Sequence, residues 1–248
     1  MQKRMLLAEM RRLVASRLFV ILIASFIALD LIVGLGLAIT ANKAIHDGTS
    51  TPNLSFLNFL GTSGMARTFV TILGIILVTK EFSNGSILRN SINAGSPTRL
   101  LAIKMIVSMI SGAIFACVSL GVGIAGALVW SNKEHFTLSW NGHLAQVCTR
   151  ILFAIILGGP LGVAIGWLGK REKPTIWIYL AYDFVLVTAI VALVPTVNEW
   201  LPGGAMAAIE NAPLGKHLGL LAGLGLYLVW LAAIGASGNL LMKKRGLV

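Results

Sequence analysis

LFVILIASFIALDLIVGLGLAI, residues 18–39, is an apolar run interrupted by a single charged side chain, Asp30. A hydrocarbon slab about 30 Å thick takes roughly 20 apolar residues per helical crossing, so the run is long enough to span one. It also exceeds the roughly 7 to 15 residues of a signal-peptide core and lacks a convincing small-residue cleavage site, so it is expected to remain as the first membrane helix. Similar stretches recur at 60–79, 100–130, 147–168, 176–194 and 218–242, which predicts six crossings in one membrane domain covering 1–248. The expected fold is therefore an all-α integral membrane protein. Composition agrees: the chain of 248 residues is 56% hydrophobic and 12% charged, with a mean hydropathy of +0.86, where soluble domains run near a quarter charged. No stretch between crossings approaches the 50 or more residues of a typical soluble domain, so any chemistry sits in the membrane or on a partner.

The flanks set the orientation. The formal net charge is +11, but Lys and Arg are scattered at helix ends rather than gathered in one module, which argues against nucleic acid as a partner. Counted on alternate sides, 15 basic residues lie at the N-terminus, at 80–104, at 170–173 and in the tail Lys243-Lys244-Arg245, against Lys43, Lys133 and Lys216 opposite. The positive-inside rule then places both termini in the cytoplasm, in a cell membrane. Residues 1–17 carry Lys3, Arg4, Arg11, Arg12 and Arg17 with Leu6, Met10, Leu13 and Val14 at helical spacing between them, the pattern of an amphipathic interfacial helix. A turn cluster at 47–53 precedes the second crossing, and Gly158-Gly159-Pro160 is expected to kink the fourth. Residues 195–216, with Pro202-Gly203-Gly204 and Pro213, are too polar to cross and are expected to dip into the outer interface as a re-entrant segment before the sixth helix.

Several motifs have plain readings. Gly121-Val122-Gly123-Ile124-Ala125-Gly126 matches a dinucleotide fingerprint, yet it lies mid-crossing, so close helix packing through small residues is expected there and at Gly162/Gly166 and Gly219/Gly223. No P-loop occurs. Cys117 and Cys148 are expected as buried free thiols, and His46, His135, His143 and His217 have no metal-ligand spacing. No catalytic residues, no metal site and no cofactor are expected on this chain.

Four ionisable residues fall within crossings: Asp30, Arg67, Arg150 and Asp183. Each costs roughly 2.5 to 3.5 kcal/mol to insert alone and so needs a partner or water. Asp30 lies 13 residues beyond Arg17, about 20 Å along a helix, and Arg67 enters from the other side to a similar depth. A structural clamp between them is expected, with substrate contact the alternative. Asp183 is expected to hydrogen-bond a Ser, Thr or backbone group of a neighbouring helix, ahead of a role in translocation.

The most informative segment faces the cytoplasm. Thr79-Lys80-Glu81-Phe82-Ser83-Asn84-Gly85-Ser86 leads into the short amphipathic run Ile87-Leu88-Arg89-Asn90-Ser91-Ile92, then Gly95-Ser96-Pro97 and a new helix carrying Arg99 and Lys104. A short helix between two crossings is a natural docking knob for a soluble subunit. In order and placement these residues resemble the permease subunits of type-2 ABC transporters of the bacterial exporter type. There the second crossing ends in a Glu-aromatic pair, followed by Gly-Thr, a coupling helix, a Pro or Ser break and a basic residue opening the third crossing. Here Ser86 stands in the place usually held by threonine. Trp200-Leu201-Pro202 looks like the family's re-entrant element and Lys243-Lys244-Arg245 like its basic tail, although its usual Arg-Asp pair is replaced by Arg245-Gly246. The resemblance implies that Glu81, Phe82, Gly85, Ser86, Ile87, Leu88, Arg89 and Ile92 couple to a separate P-loop ATPase. It also implies two ATPases and two permeases, identical or sibling, with ATP and magnesium on the partner. A hydrophobic or amphipathic substrate, such as a peptide, drug or lipid-like molecule, is expected from the few polar side chains in the crossings. The competing expectation is a proton-coupled secondary transporter using Asp30 and Asp183.

Overall fold

The computed structural model describes residues 2–137, 142–210 and 218–244. Its helices, in chain order, are α1 (Gln2–Val14), α2 (Arg17–His46), α3 (Pro52–Thr62), α4 (Ala66–Ser83), α5 (Ser86–Ala94), α6 (Pro97–Lys133), α7 (Gly142–Gly169), α8 (Glu172–Leu180), α9 (Val187–Leu193), α10 (Pro195–Asn198), α11 (Pro202–Glu210) and α12 (Leu220–Lys244). A 3-10 turn, Ser63–Met65, joins α3 to α4, and a π-helical segment, Ala181–Leu186, joins α8 to α9. Six of these units are long and apolar enough to cross a membrane: α2, α3 with α4, α6, α7, α8 with α9, and α12. Among the described residues there is no β-sheet.

Local sequence explains where the helices start. Ser16, Thr51 and Ser96 hold extended backbone, and each side-chain oxygen accepts the backbone N–H three residues on, at Phe19, Leu54 and Arg99. Such caps satisfy one of the donors a helix start leaves unpaired, and Pro52 and Pro97 stand next, where a missing N–H costs nothing. The Thr51 cap moves the second crossing earlier than expected. It begins at Pro52 rather than near residue 60, because α3 has Phe56, Phe59 and Leu60 to bury.

α4 and α7 form the centre. In α7, 67% of the apolar window is buried, against 6% in the fifth crossing and 17% in α2, so the fifth crossing and α2 lie at the periphery. Glycines let the two central backbones touch. A Cβ on Gly159 would stand 2.6 Å from the Ser108 carbonyl oxygen of α6, and one on Gly74 would stand 2.9 Å from Val163 N. Gly162 meets the Thr71 backbone and Gly166 the Ile75 backbone, which is the close approach expected of that pair. Around this centre, Phe19, Phe26 and Phe115 interlock between α2 and α6, with Phe19 edge-on to Phe115 at a centroid distance of 5.7 Å. On the other side Ala205, Met206 and Ile209 of α11 pack with Tyr227 of α12 against α7.

α7 includes Gly158, Gly159 and Pro160 within one continuous helix, and the glycines there make contact with α4 and α6. A departure from α geometry lies at Ala181–Leu186. Two expectations are corrected. Gly123 packs tightly, its Cβ position lying 2.7 Å from Ser63 Oγ, but Gly121 and Gly126 face open space, as does Gly219, while Gly223 packs on Ala208. Neither cysteine is buried in the bundle: Cys117 is exposed and Cys148 is intermediate. The tail residue Arg245, and Pro213 and Lys216, lie outside the described residues.

Candidate functional site: a charge cluster, a groove and a short exposed helix

An arginine inside a crossing needs a counter-ion, and Arg67, in the first turn of α4, has two. Its Nη1 donates to Glu210 Oε1 at 2.7 Å, at the end of α11, and its Nη2 lies 3.9 Å from Asp183 Oδ1 in the π-helical segment. Thr68 Oγ1 donates to Asp183 Oδ2 at 2.9 Å, and the Tyr179 hydroxyl donates to the same oxygen at 3.3 Å. The Tyr182 hydroxyl accepts from Gly203 N at 3.3 Å. These contacts tie α4, the fifth crossing and α11 together. They fulfil the expectation that a threonine of a neighbouring helix satisfies Asp183.

The expected Asp30 and Arg67 clamp does not form. Matching depths in two helices is not enough to pair them, because α11, packed on α7 and α12, offers Glu210 to Arg67 at hydrogen-bond distance. Asp30 instead accepts from Thr62 Oγ1 at 3.0 Å and has no ion pair among the described residues. Its side chain, 3% exposed, lines a groove of about 690 Å³ between α2 and α6. At the far end of the groove Asn42 accepts from Trp130 Nε1 and donates to Glu134 Oε1, both at 2.8 Å. Arg150, on α7, is half-buried, and its Nε has no hydrogen-bond partner among the described residues.

The end of the bundle that carries the basic loops holds α5. α5 lies between two glycines in the left-handed region, Gly85 at φ 65° and Gly95 at φ 82°, a conformation other residues adopt only under strain. Ile87 and Ser91 face inward, while Leu88 is 42% and Ile92 is 79% exposed, with Arg89 exposed beside them. Ser83, Asn84 and Gly85 are exposed and Ser86 is intermediate. Phe82 packs edge-on against Trp167 at 5.7 Å, with Lys170 Nζ 5.9 Å from its ring centroid.

Glu81 is not at the surface. It is 2% exposed and forms an ion pair with Lys104, itself 1% exposed, whose Nζ also donates to Glu9 Oε2 of α1 at 2.7 Å. Glu81 Oε2 has no hydrogen-bond partner among the described residues, and Glu81 lines a cavity of about 120 Å³ with Glu9, Arg12 and Lys80, large enough and polar enough for water. The triad therefore fixes the N-terminal helix to the base of the second and third crossings. Sequence reasoning misses it, because Lys104 reads as a topology charge and Glu9 as part of a polar helix face. Glu9 is the sole acidic residue in an N-terminal segment with five basic ones, and that oddity is the available signal.

No family model, curated protein or solved structure matches this chain. Its sequence and geometry together describe a multi-pass, all-helical membrane protein with six membrane-length helices among the described residues.

Proposed function

We propose that this chain is the membrane-spanning permease subunit of an ATP-driven exporter, powered by a separate P-loop ATPase that docks on α5. The observation that carries the reading is the pair Leu88 and Ile92. They are exposed apolar side chains one helical turn apart on a short helix between the second and third crossings, at the end where the basic loops gather. A helix laid into a groove is read through such i, i+4 anchors. Leu88, Arg89 and Ile92 would make the contact, Gly85 and Ser86 would set the approach, and Glu81, Phe82 and Ile87 would brace the helix from within. Two permeases and two ATPases would complete the assembly, with ATP and magnesium on the partner and a hydrophobic or amphipathic substrate crossing the membrane.

The test is purification of the tagged chain in mild detergent from its native host, beside a Leu88→Asp, Ile92→Asp double variant. The reading expects a P-loop ATPase to accompany the wild type and to be lost from the variant while the variant still elutes as a folded protein. A folded wild type that never brings an ATPase would refute it. Proton-driven transport is the second reading, favoured by the unpaired Asp30 carboxylate in its groove; Asp30→Asn with Asp183→Asn would abolish it and leave ATP-driven transport largely intact.

A further inference from the structure

Asp30 is a carboxylate almost wholly out of solvent, held by one neutral donor, Thr62, and facing a groove whose walls are mostly apolar. Glu9 and Glu81 have Lys104 as a counter-ion and the partly buried Asp183 and Glu210 have Arg67, whereas Asp30 has none among the described residues. A buried charge left without a counter-ion is costly, so the geometry reserves a place for a cation at Asp30.

The surroundings say which kind. A calcium ion takes six to eight oxygen ligands and magnesium six, and the groove-lining side chain that brings an oxygen to Asp30 is Thr62. A small metal ion would be under-coordinated there. An organic cation is weakly hydrated and needs no such shell. Leu31, Leu35, Phe59 and Val129 line the remaining length, and Gly126 contributes open space where a side chain would stand. From Asp30 to Asn42 the groove runs along twelve residues of α2, about 18 Å. Lys133 and Glu134, which also line the groove, offset each other in charge.

We propose that the groove between α2 and α6 binds a hydrophobic organic cation, its charge set against Asp30 and its apolar groups, within the roughly 18 Å of groove, lying toward Trp130. This names a substrate class for the permease function; binding itself does not depend on that function, and only the transport step after binding rests on it. An anionic lipid is disfavoured because its head would face a carboxylate. A neutral acyl chain or a helix of a second copy would leave Asp30 unpaired.

The test uses the full chain in neutral-lipid nanodiscs without any ATPase, with tetraphenylphosphonium as the probe and tetraphenylborate, nearly the same shape with opposite charge, as its control. Saturable phosphonium binding to the wild type is expected, with borate binding no better than to empty discs. Asp30→Asn keeps the oxygen that Thr62 bonds and should weaken phosphonium binding about tenfold or more. Gly126→Phe leaves the charge and fills the groove, and should weaken it comparably. Equal binding to Asp30→Asn, equal binding of borate, unchanged binding to Gly126→Phe, or no binding to a monodisperse wild type would each overturn the proposal. Failure of the ATP-driven reading would instead show in the co-purification experiment and leave these binding results standing.

Discussion

Replacing Lys104 with methionine keeps most of the side-chain volume and removes the charge that holds two carboxylates together. Lys104 Nζ is the cation of both Glu81 and Glu9, and Glu81 is 2% exposed with its second oxygen unpartnered among the described residues. Removing one member of a buried pair costs about 3 to 5 kcal/mol, because the remaining charge stays desolvated; Glu9 lies nearer the surface, so about 3 kcal/mol is the working figure. For a chain of this size 1 kcal/mol corresponds to roughly 2 to 4 °C in Tm, giving a drop of roughly 6 to 12 °C. Tryptophan fluorescence during heating in detergent would read it. The same change frees α1, whose Arg11 and Arg12 are already exposed, so trypsin should cut there faster. Adding Glu81→Gln and Glu9→Gln to Lys104→Met removes the stranded charges and should recover most of the loss. A Lys104→Met protein that melts within about 2 °C of wild type, with α1 cut at the wild-type rate, would refute the idea that the triad is a structural strut.

Arg67→Leu strands Glu210 and Asp183 together and should sharply lower the yield of monodisperse protein on size exclusion. Asp183→Asn should be milder, since Thr68 and Tyr179 can still donate to the amide oxygen. Gly159→Val drives a side chain into the Ser108 carbonyl and should cost several kcal/mol as overpacking of a backbone contact, read as lost expression, whereas Gly121→Ala points into open space and should melt like wild type. Trp167→Phe removes the Nε1 hydrogen bond to Asn239 of α12, 2.9 Å long, and should cost about 1 kcal/mol; combined with Asn239→Ala it should be less than additive in the same melting assay.

Hydropathy makes the crossings legible, because a helix in hydrocarbon must satisfy its own backbone and so writes its length into the sequence as apolar residues. The exposed anchors of α5 are legible for a related reason: Leu88 and Ile92 are apolar at helical spacing among polar neighbours. Charge pairing is not. Which carboxylate reaches Arg67 depends on how α11 packs, and Glu210 sits in a segment where periodicity is weak. Glu81 reads as a contact residue because it stands beside a polar turn, yet a turn of α4 separates it from that turn's exposed tip and points it at Lys104. The π-helical segment has no signature in residues 181–186, since π geometry is one residue more in a turn rather than a different composition.

That one extra residue bears on how this membrane helix tolerates changes in length. Deleting a residue from an ordinary crossing rotates everything after it by about 100° and shortens it by about 1.5 Å, at the cost of a broken hydrogen-bond ladder or a misplaced face. Between Ala181 and Leu186 the ladder already carries a surplus, so losing Phe184 would let α8 and α9 close into one regular α-helix. The backbone would be relieved, and the penalty would fall on Val187, which rests against Gly203. The fifth crossing is thus the place where this fold can absorb a single-residue deletion, and where chains of different length could keep the same six-helix plan.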